Sequence, residues 1–557
     1  MKPSKSSTGR SSDRIGSKRV VRRKALSTAS IAVGRSSSPW VVYSIILVAI
    51  FIAQMGLGLR NSLTPFIVKS FGQTVESGVW LTLSAGIVSL SLVPTAGKLS
   101  DIVGRKYVAA IGLFLAAVGQ VGVGISNNYA MAVASYALLG LVAATLLPAG
   151  PAFASVHIPE SQRGRALGMY PLVTLPGTIV GPIVGGMLTD WHSWQLVMYV
   201  GATCCLISLV FTLIFMPRPA ARQAVKMDWV GAACLIVTVA CLLVLTNRAQ
   251  VLGLANLWTW LLIAGVVVGG VVTALVEKGN PHAILETSYI ASRRFIVPVL
   301  ILLSVYSFGA TTYMATFFVV SVIHGNATMT GLVVVGLFLP MAILGPFGGA
   351  LADRFGAKNV ATVGVLISCI ALFLFTRVSP TTSLTDLIVY AAIQGVGIGL
   401  FFTSLMRIAL SGITPDKAQT SAGTFAMFKD VDAPLVVSVY GTWFGVLTAS
   451  LTTSALMARA TELGVGKNVV DLIGKAGLKD PAVSQALASL GIKAQELQAY
   501  ATEQAMPTAM ATVFGFEVAI AVVALLLCIF FLPNPIASAK SKAEPDLVPQ
   551  VKGSPSR

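Results

Sequence analysis

The stretch GKLSDIVGRKYV, residues 97–108, is a short polar segment between two long apolar runs. A similar stretch, GALADRFGAKNV, occupies residues 349–360. Aligning the two pairs Gly97 with Gly349, Asp101 with Asp353, Gly104 with Gly356 and Lys106 with Lys358. An internal repeat indicates a duplicated structural unit. The sequence therefore predicts two related halves, with each polar segment joining the second and third apolar runs of its half.

The composition indicates a membrane environment. The chain has 557 residues, of which 55% are hydrophobic and 11% are charged. Soluble domains contain about 25% charged residues, and apolar runs of about 20 residues are long enough to cross a bilayer. We count fourteen such runs, from residues 40–59 to residues 510–533. The prediction is an all-α polytopic membrane protein with 14 transmembrane helices.

Residue types that carry metal or enzyme chemistry are dispersed along the chain. All six cysteines fall inside apolar runs, and the four histidines lie in or near predicted loops. Neither type has the spacing of a metal site, and no nucleophile–base arrangement emerges. We therefore predict that the protein is not an enzyme and holds no cofactor.

The charge distribution predicts the orientation. The net charge is +18, but ten Lys and Arg against one Asp lie in residues 1–39, which predicts a disordered tail that touches anionic lipid rather than nucleic acid. Most other basic residues fall in alternate loops, whereas short outside loops such as SNNYA and TDWHSW have none. By the positive-inside rule both termini are cytoplasmic in a plasma (inner) membrane protein.

These patterns divide the chain into units. The predicted units are a basic cytoplasmic tail (1–39), a six-helix bundle (40–216), an extra helix pair with linkers (217–280), a second six-helix bundle (281–533) and a cytoplasmic tail (534–557). An external insert, residues 450–508, interrupts the second bundle and has helical spacing of apolar residues. It is either a surface cap or a docking surface for an extracytoplasmic partner or substrate lid.

Two motifs resemble those of a transporter family. The pattern Gly-x-Leu-x-Asp-x-x-Gly-Arg-Lys at residues 97–106 resembles the signature loop of the major facilitator superfamily. Fourteen spans, with DWVGAACLI opening span 7, resemble its drug:proton antiporter branch. The stretch GTIVGPIVGGML resembles that branch's antiporter motif in helix 5, through Gly177, Gly181, Pro182, Gly185 and Gly186. The resemblance implies an exporter of small amphiphilic organic molecules that works by alternating access and uses a proton gradient.

The same resemblance implies a cytoplasmic gate. Asp101 would cap the cytoplasmic end of span 13 and be held by Arg105, and Asp353 would act likewise at span 5, near Arg163 and Arg165. A carboxylate at a helix N-terminus is stabilised by about 0.3–2 kcal/mol. We expect Gly97 to permit close helix approach and Gly104 a tight turn. The gating residues are Gly97, Asp101, Gly104, Arg105, Lys106, Asp353, Gly356 and Lys358.

Two helices depart from the family pattern. Helix 1 reads MGLGLRNSLTP, with Gly56 where the family has an aspartate and with Arg60 added. In helix 4, Tyr136 replaces an arginine linked to proton exchange. The alternatives are therefore a dedicated exporter of an anionic metabolite, fatty acid or lipid with atypical or no proton coupling, and a non-transporting sensor or scaffold.

The coupling group must then lie elsewhere. Of the 21 acidic residues, only Asp430, Asp432 and Glu517 fall inside predicted spans, where an ionisable residue is a functional candidate by default. Lys429 and Asp432 are three residues apart and could neutralise each other, either within span 13 or at the cytoplasmic interface. Glu517 lies in the last span, which the resemblance places at the periphery.

The substrate path is predicted from polar and aromatic residues in the spans. Arg60 lies toward the outer end of span 1, where its long side chain either snorkels to the interface or faces a cavity. If it faces a cavity, Arg60 and Lys429 favour an anionic or zwitterionic amphiphile. The candidate path residues are Arg60, Asn61, Tyr136, Tyr306, Tyr313 and Gln394.

Overall fold

The computed structural model describes residues 39–216, 229–253, 255–278, 292–411, 425, 428–429, 434–478 and 480–533. Every regular element in these segments is a helix. The helices of the first half are α1 Pro39–Gly58, α2 Thr64–Ser70, α3 Val75–Leu99, α4 Arg105–Gly124, α5 Tyr129–Ala137, α6 Gly140–Thr145, α7 Ala149–His157, α8 Glu160–Trp191 and α9 Trp194–Phe215. The extra pair is α10 Trp229–Leu252 and α11 Leu257–Lys278. The second half contains α12 Arg293–Val305, α13 Phe308–Ser321, α14 Ala327–Phe355, α15 Ala357–Phe375, α16 Leu384–Ala409, α17 Thr442–Glu462, α18 Lys467–Ala476, α19 Pro481–Ser489 and α20 Ala494–Phe530.

Thirteen helical stretches of the described chain are long and apolar enough to cross a membrane. A shorter apolar helix, Leu257–Thr273, lies where the eighth span is predicted. The prediction of an all-α polytopic membrane protein is confirmed, and thirteen long spans with one shorter helix agree with the predicted fourteen.

The spans pack as two bundles and a pair. In the first half α1 packs on α8 and α9, and in the second half α14 and α15 pack on α16. The pair reaches the second half through α10, whose Asn247 donates a 2.7 Å hydrogen bond to Thr442. It reaches the first half where the Arg248 guanidinium lies 4.9 Å from the centre of the Trp80 ring. The pair therefore touches both bundles.

The last two spans are longer than the sequence predicts on the side predicted to be external, which we call the outer side. The sequence predicts that span 13 ends at residue 449 and that span 14 begins at 510, but α17 continues to Glu462 and α20 begins at Ala494. About half of the predicted insert is therefore an extension of these two helices, and α18 and α19 lie between them. Leu456 of α17 and Leu497 of α20 are buried in a small apolar core together with Ile473. That burial stabilises the helices beyond the membrane.

The first span of each half is interrupted. Span 1 breaks between α1 and α2, at residues 59–63, and span 9 breaks between α12 and α13, at residues 306–307. Interrupted membrane helices point to a transporter's binding site. These two breaks lie at different depths, because seven helical residues follow the first break and fourteen follow the second. The two breaks therefore define where a functional site is sought.

Candidate transport site

The break in span 9 contains a polar cluster formed by Ser307, Gln394 and Glu517. The Ser307 hydroxyl donates to Glu517 Oε2 at 3.2 Å, and Gln394 Nε2 donates weakly to the Ser307 hydroxyl at 3.5 Å. The cluster therefore links the break to α16 and α20. The sequence singled out Glu517 and Gln394 separately, and the structure brings them together through a serine.

Glu517 is the buried acid of this cluster. Its residue surface is 2% exposed, and its second carboxyl oxygen, Oε1, has no hydrogen-bond partner. Its carboxyl group forms no ion pair with any described residue. The side chain thus faces the interior of the bundle, although the resemblance implies that its helix is peripheral. An isolated carboxylate is costly in an apolar interior, and the neutral acid costs much less, so this environment favours the neutral form of the carboxyl group.

The break in span 1 places Arg60 against Tyr136. The guanidinium carbon lies 4.7 Å from the centre of the Tyr136 ring, which is itself buried. Arg60 Nε and Nη1 are buried and have no hydrogen-bond partner among the described residues. The side chain therefore packs against Tyr136, and its place relative to the membrane surface stays a prediction.

The contact with the ring offsets only part of the cost of burying this cation. A cation–π contact stabilises by about 0.5–2 kcal/mol, whereas burying a charge without hydrogen-bonded partners costs several kcal/mol. The two departures from the family pattern, Arg60 and Tyr136, thus form one incompletely compensated site. An anion is the partner that would complete it.

The outer ends of the two bundles are joined by Asp190, at the end of α8. Asp190 Oδ1 accepts a 2.8 Å hydrogen bond from the Ala327 amide, and Oδ2 accepts from the amide and hydroxyl groups of Thr328. Asn326, the N-cap of α14, accepts from the Met329 amide at 3.0 Å. Together these acceptors satisfy N–H groups that a helix N-terminus leaves unpaired.

Close backbone packing continues this outer contact toward the membrane centre. A Cβ added to Gly186 would overlap the carbonyl oxygen of Ala327, and one added to Gly331 would overlap that of Pro182. Thr330 Oγ1 donates to the Ser62 carbonyl at 3.0 Å. Helices α8 and α14 are thus in contact along their outer parts, which closes the outer side here.

The other motif glycines pack within the first half. Added Cβ atoms at Gly177, Gly181 and Gly185 would meet the backbone of span 1, at or before Leu59. The motif glycines of α8, which is the fifth predicted span, therefore serve two interfaces. Gly177, Gly181 and Gly185 pack against span 1, whereas Gly186 faces the opposite bundle. Pro182 is buried, and its carbonyl accepts a 3.2 Å hydrogen bond from the Ser62 hydroxyl.

Tyr313 forms a second contact between the two halves, also on the outer side. Its hydroxyl donates to the carbonyl of Val75, at the start of α3. An added Cβ at Gly78 would clash with the Tyr313 hydroxyl, and one at Gly441 would press on its ring. Tyr313, predicted in the substrate path, thus lies at the closed outer interface.

The remaining path candidates differ in exposure. Tyr306 is buried and its ring lies 5.0 Å, centre to centre, from that of Phe308. Asn61 is exposed, beside Arg60 at the break in span 1. Lys429 is half-buried, whereas Asp430 and Asp432 lie outside the described residues.

The cytoplasmic repeat shows a shared turn. Gly104 and Gly356 have φ values of +107° and +87°, a conformation that favours glycine. Asp353 pairs with Arg407 of α16, within its own bundle. Its implied contact with the span 5 arginines stays a prediction, because the side chains of Arg163 and Arg165 are outside the described part of the structure. A Cβ at Gly97 would meet no atom within 4 Å, so the expected close helix approach is not found there.

The other gating residues are described in part. Arg105, Lys106 and Lys358 are each half-buried. The Asp101 side chain lies outside the described atoms, as do those of Arg163 and Arg165.

Sequence reasoning missed Asp190 and Ser307. Asp190 could have been noticed as the acid of the outside loop TDWHSW, which has no Lys or Arg. Its partner is the backbone of a helix more than a hundred residues away, which no local pattern reveals. Ser307 gave no signal, because a single serine in an apolar span is common.

Comparison with known proteins agrees with this architecture. The model of the Major Facilitator Superfamily matches residues 46–277 and 299–460. Multidrug resistance protein 3 of Bacillus subtilis is 25% identical over 420 residues, covering 73% of this chain and 80% of that protein. The riboflavin transporter RibZ of Clostridioides difficile is 23% identical over 411 residues, covering 73% and 88%.

The fold is also found among solved structures. A bacterial homologue of the human lysosomal transporter Spinster, in an inward-facing and unoccupied conformation, superposes with a TM-score of 0.60 at 15% identity. The match covers 90% of this chain and 98% of that one. Relatives named for multidrug resistance agree with the branch that the motifs indicate. Since the family model matches most of the sequence and the fold matches as well, this chain belongs to the Major Facilitator Superfamily.

Proposed function

We propose that this protein is a secondary active exporter that moves amphiphilic organic molecules outward in exchange for protons. It works by alternating access in the plasma membrane, with both termini in the cytoplasm. The relatives named for multidrug resistance support export. Metabolite export and a non-transporting sensor are the alternatives that the experiment below separates from it.

The observation that carries the proposal is Glu517. Coupling to protons needs a group in the bundle that changes charge during the cycle. Glu517 is buried, one carboxyl oxygen has no partner, and the other accepts a hydrogen bond from Ser307 at the break of span 9. Movement of that break would change the contacts of the carboxyl group. The free-energy cost of ionising the group would then change as well. Proton binding is thereby linked to conformation.

The closed outer side supports alternating access. Asp190 and the packing at Gly186 join the bundles on that side. Export requires these contacts to separate so that substrate leaves, and to reform after release.

The test is uptake of a cationic, a neutral and an anionic fluorescent amphiphile into inside-out vesicles with an imposed pH gradient. Wild type should accumulate at least one of them when the lumen is acidic. Glu517→Gln should reduce gradient-driven accumulation at least tenfold, because the amide cannot carry a proton. Exchange of labelled for unlabelled substrate without a gradient should persist, since it needs no net proton movement.

The matched control is Glu503→Gln, which makes the same change outside the membrane on the same helix, where Glu503 contacts His324 at 2.6 Å. It should retain gradient-driven uptake. Uptake by Glu517→Gln at the wild-type rate would reject Glu517 as the coupling group. Uptake that ignores the gradient in wild type would leave a facilitator, and no flux or exchange of any substrate would favour the sensor.

A further inference from the structure

We infer that the break in span 1 is an anion-binding site centred on Arg60, and that the exported amphiphiles have a carboxylate, phosphate or sulfonate head group. This deepens the transport proposal, on which it rests, by naming the substrate class. The occupant to which we commit is the acidic head of the substrate itself. A phospholipid head group or a small inorganic anion shares that chemistry, so the experiment distinguishes them.

The first support is the unpaired state of the cation. Arg60 Nε and Nη1 are buried without a hydrogen-bond partner, and Arg60 forms no ion pair with a described residue. Buried charges in proteins are normally paired. Seven of the nine helices of the first half contain no acid, since residues 39–70, 105–124, 129–157 and 194–215 have no Asp or Glu. Helix α8 packs on the break and ends near Asp190, whose two oxygens already accept hydrogen bonds from α14. The remaining acids of these helices, Glu76 and Glu160, belong to the first turns of α3 and α8. The missing negative charge must come from another segment or from a ligand.

The second support is the orientation that Tyr136 imposes. Its ring covers one face of the guanidinium, with the Arg60 Cζ atom 4.7 Å from the ring centre. A stacked guanidinium keeps its N–H donors along its edge, and the edge is where carboxylate and phosphate oxygens bind. The ring therefore holds the cation in place and leaves its donors available.

The third support is the position of the site. Arg60 lies in the irregular residues 59–63, between α1 and α2, and the next residue, Asn61, is exposed. The break is therefore on an accessible surface of the bundle. Interrupted membrane helices form substrate and ion sites in transporters, because their backbone groups and helix ends can bind ions there.

The test is equilibrium binding to the purified full-length chain in a neutral maltoside detergent. The probes are 11-(dansylamino)undecanoate and its primary amide, which share the tail and differ in head-group charge. Wild type should bind the carboxylate at least tenfold more tightly than the amide. Arg60→Gln should raise the carboxylate Kd at least tenfold, equivalent to about 1.4 kcal/mol, and leave the amide Kd unchanged.

The matched control is Arg377→Gln. Arg377 also stacks on an aromatic ring, with its Cζ atom 5.1 Å from the centre of Phe373, but it is exposed at the end of α15. Its loss should leave the head-group preference intact. Tyr136→Phe should retain the preference as well, because it keeps the ring face without the hydroxyl group.

Four results would overturn the inference. Equal binding of the two probes by wild type would do so without any variant, even if Arg60→Gln failed to fold. A carboxylate preference that survives in Arg60→Gln would place the site elsewhere. Displacement of the carboxylate probe by millimolar inorganic phosphate as effectively as by dodecanoate would indicate a small-anion site, and displacement by phosphatidylglycerol alone would indicate a lipid site. Since binding is measured without a gradient, failure of proton coupling would leave the head-group preference unchanged.

Discussion

At the scale of single residues, Asp190 makes the most specific contact between the two halves. Its carboxylate meets the first two backbone N–H groups of α14 and the Thr328 hydroxyl. A negative charge at a helix N-terminus is stabilised by about 0.3–2 kcal/mol, and hydrogen bonds to a charged group contribute about 1.5–3 kcal/mol each. Because the acid belongs to one bundle and the helix to the other, this energy favours the closed outer side.

Asp190→Asn should therefore shift the protein toward an outward-open state. The amide keeps one acceptor oxygen but replaces the other with a donor that repels the helix N–H groups. A loss of about 1–2 kcal/mol corresponds to a 5- to 30-fold change in the ratio of states. The measurement is labelling of Ser62→Cys, at a buried position, by a membrane-impermeant maleimide added from outside. The labelling rate should rise by that factor.

Asp386→Asn supplies the control for this substitution. Asp386 also caps a helix, accepting from Ser383 in a capping box, but both residues belong to the N-terminus of α16. The same chemical change should therefore leave the labelling of Ser62→Cys at the parent rate. If Asp190→Asn also left labelling unchanged, the Asp190 contact would not hold the outer side closed.

At the scale of the helices, substitutions at two adjacent glycines of α8 should have different effects. One should lower the stability of the protein, and the other should open its outer side. A Cβ at Gly185 would overlap the Leu59 carbonyl within its own bundle, whereas one at Gly186 would overlap Ala327 of the opposite bundle. Gly186→Ala should therefore push α8 and α14 apart and speed the labelling of Ser62→Cys. Gly185→Ala should instead lower the thermal midpoint by overpacking, at a cost of about 1–3 kcal/mol.

Gly515→Ala is the neutral comparison for these variants, because a Cβ there would meet no atom within 4 Å. It should affect neither labelling nor the thermal midpoint beyond the small helix preference of alanine. Equal effects of Gly185→Ala and Gly186→Ala on both readouts would show that the two interfaces are not separable.

Helix number and order could be predicted from the sequence because each span is a long apolar run, a local property. The breaks could not be predicted. Residues 306–307 lie inside an apolar run and residues 59–63 directly follow one, and in both places the irregular backbone depends on packing against other spans. The outer extension of α17 was also missed, since Leu456 is buried only against the small external core that α20 helps to form. A hydropathy profile detects apolar runs that are long enough to cross a membrane. It does not detect a small apolar core that forms outside the membrane.

At the scale of the whole molecule, the site depends on how distant segments meet. The sequence identified Arg60, Tyr136, Gln394 and Glu517 as unusual for their spans. It could not pair Arg60 with Tyr136 or join Glu517 to Gln394, because those contacts cross between helices far apart in the chain. The mirrored turns at Gly104 and Gly356 were foreseeable, since a repeated motif predicts repeated geometry.

The state described here is closed at its outer end, so a covalent link across that end should stop transport. The variant is Asp190→Cys combined with Thr328→Cys, whose parent side chains are hydrogen-bonded across the bundles. Oxidation to a disulfide should lower the substrate uptake of inside-out vesicles at least tenfold, because α8 and α14 must separate in each cycle. Reduction should restore it, since the loss depends on the bond and not on the substitutions.

The comparison is the pair Ser383→Cys and Asp386→Cys, which replaces a 2.7 Å hydrogen bond within one bundle. Its oxidation should leave uptake unchanged, because no cycle step separates these residues. Uptake by the fully cross-linked Asp190–Thr328 variant at the reduced rate would mean that substrate leaves without parting of the outer ends. Alternating access would then have to occur between other helices, because a rocking motion of two rigid bundles cannot proceed with their outer ends bonded.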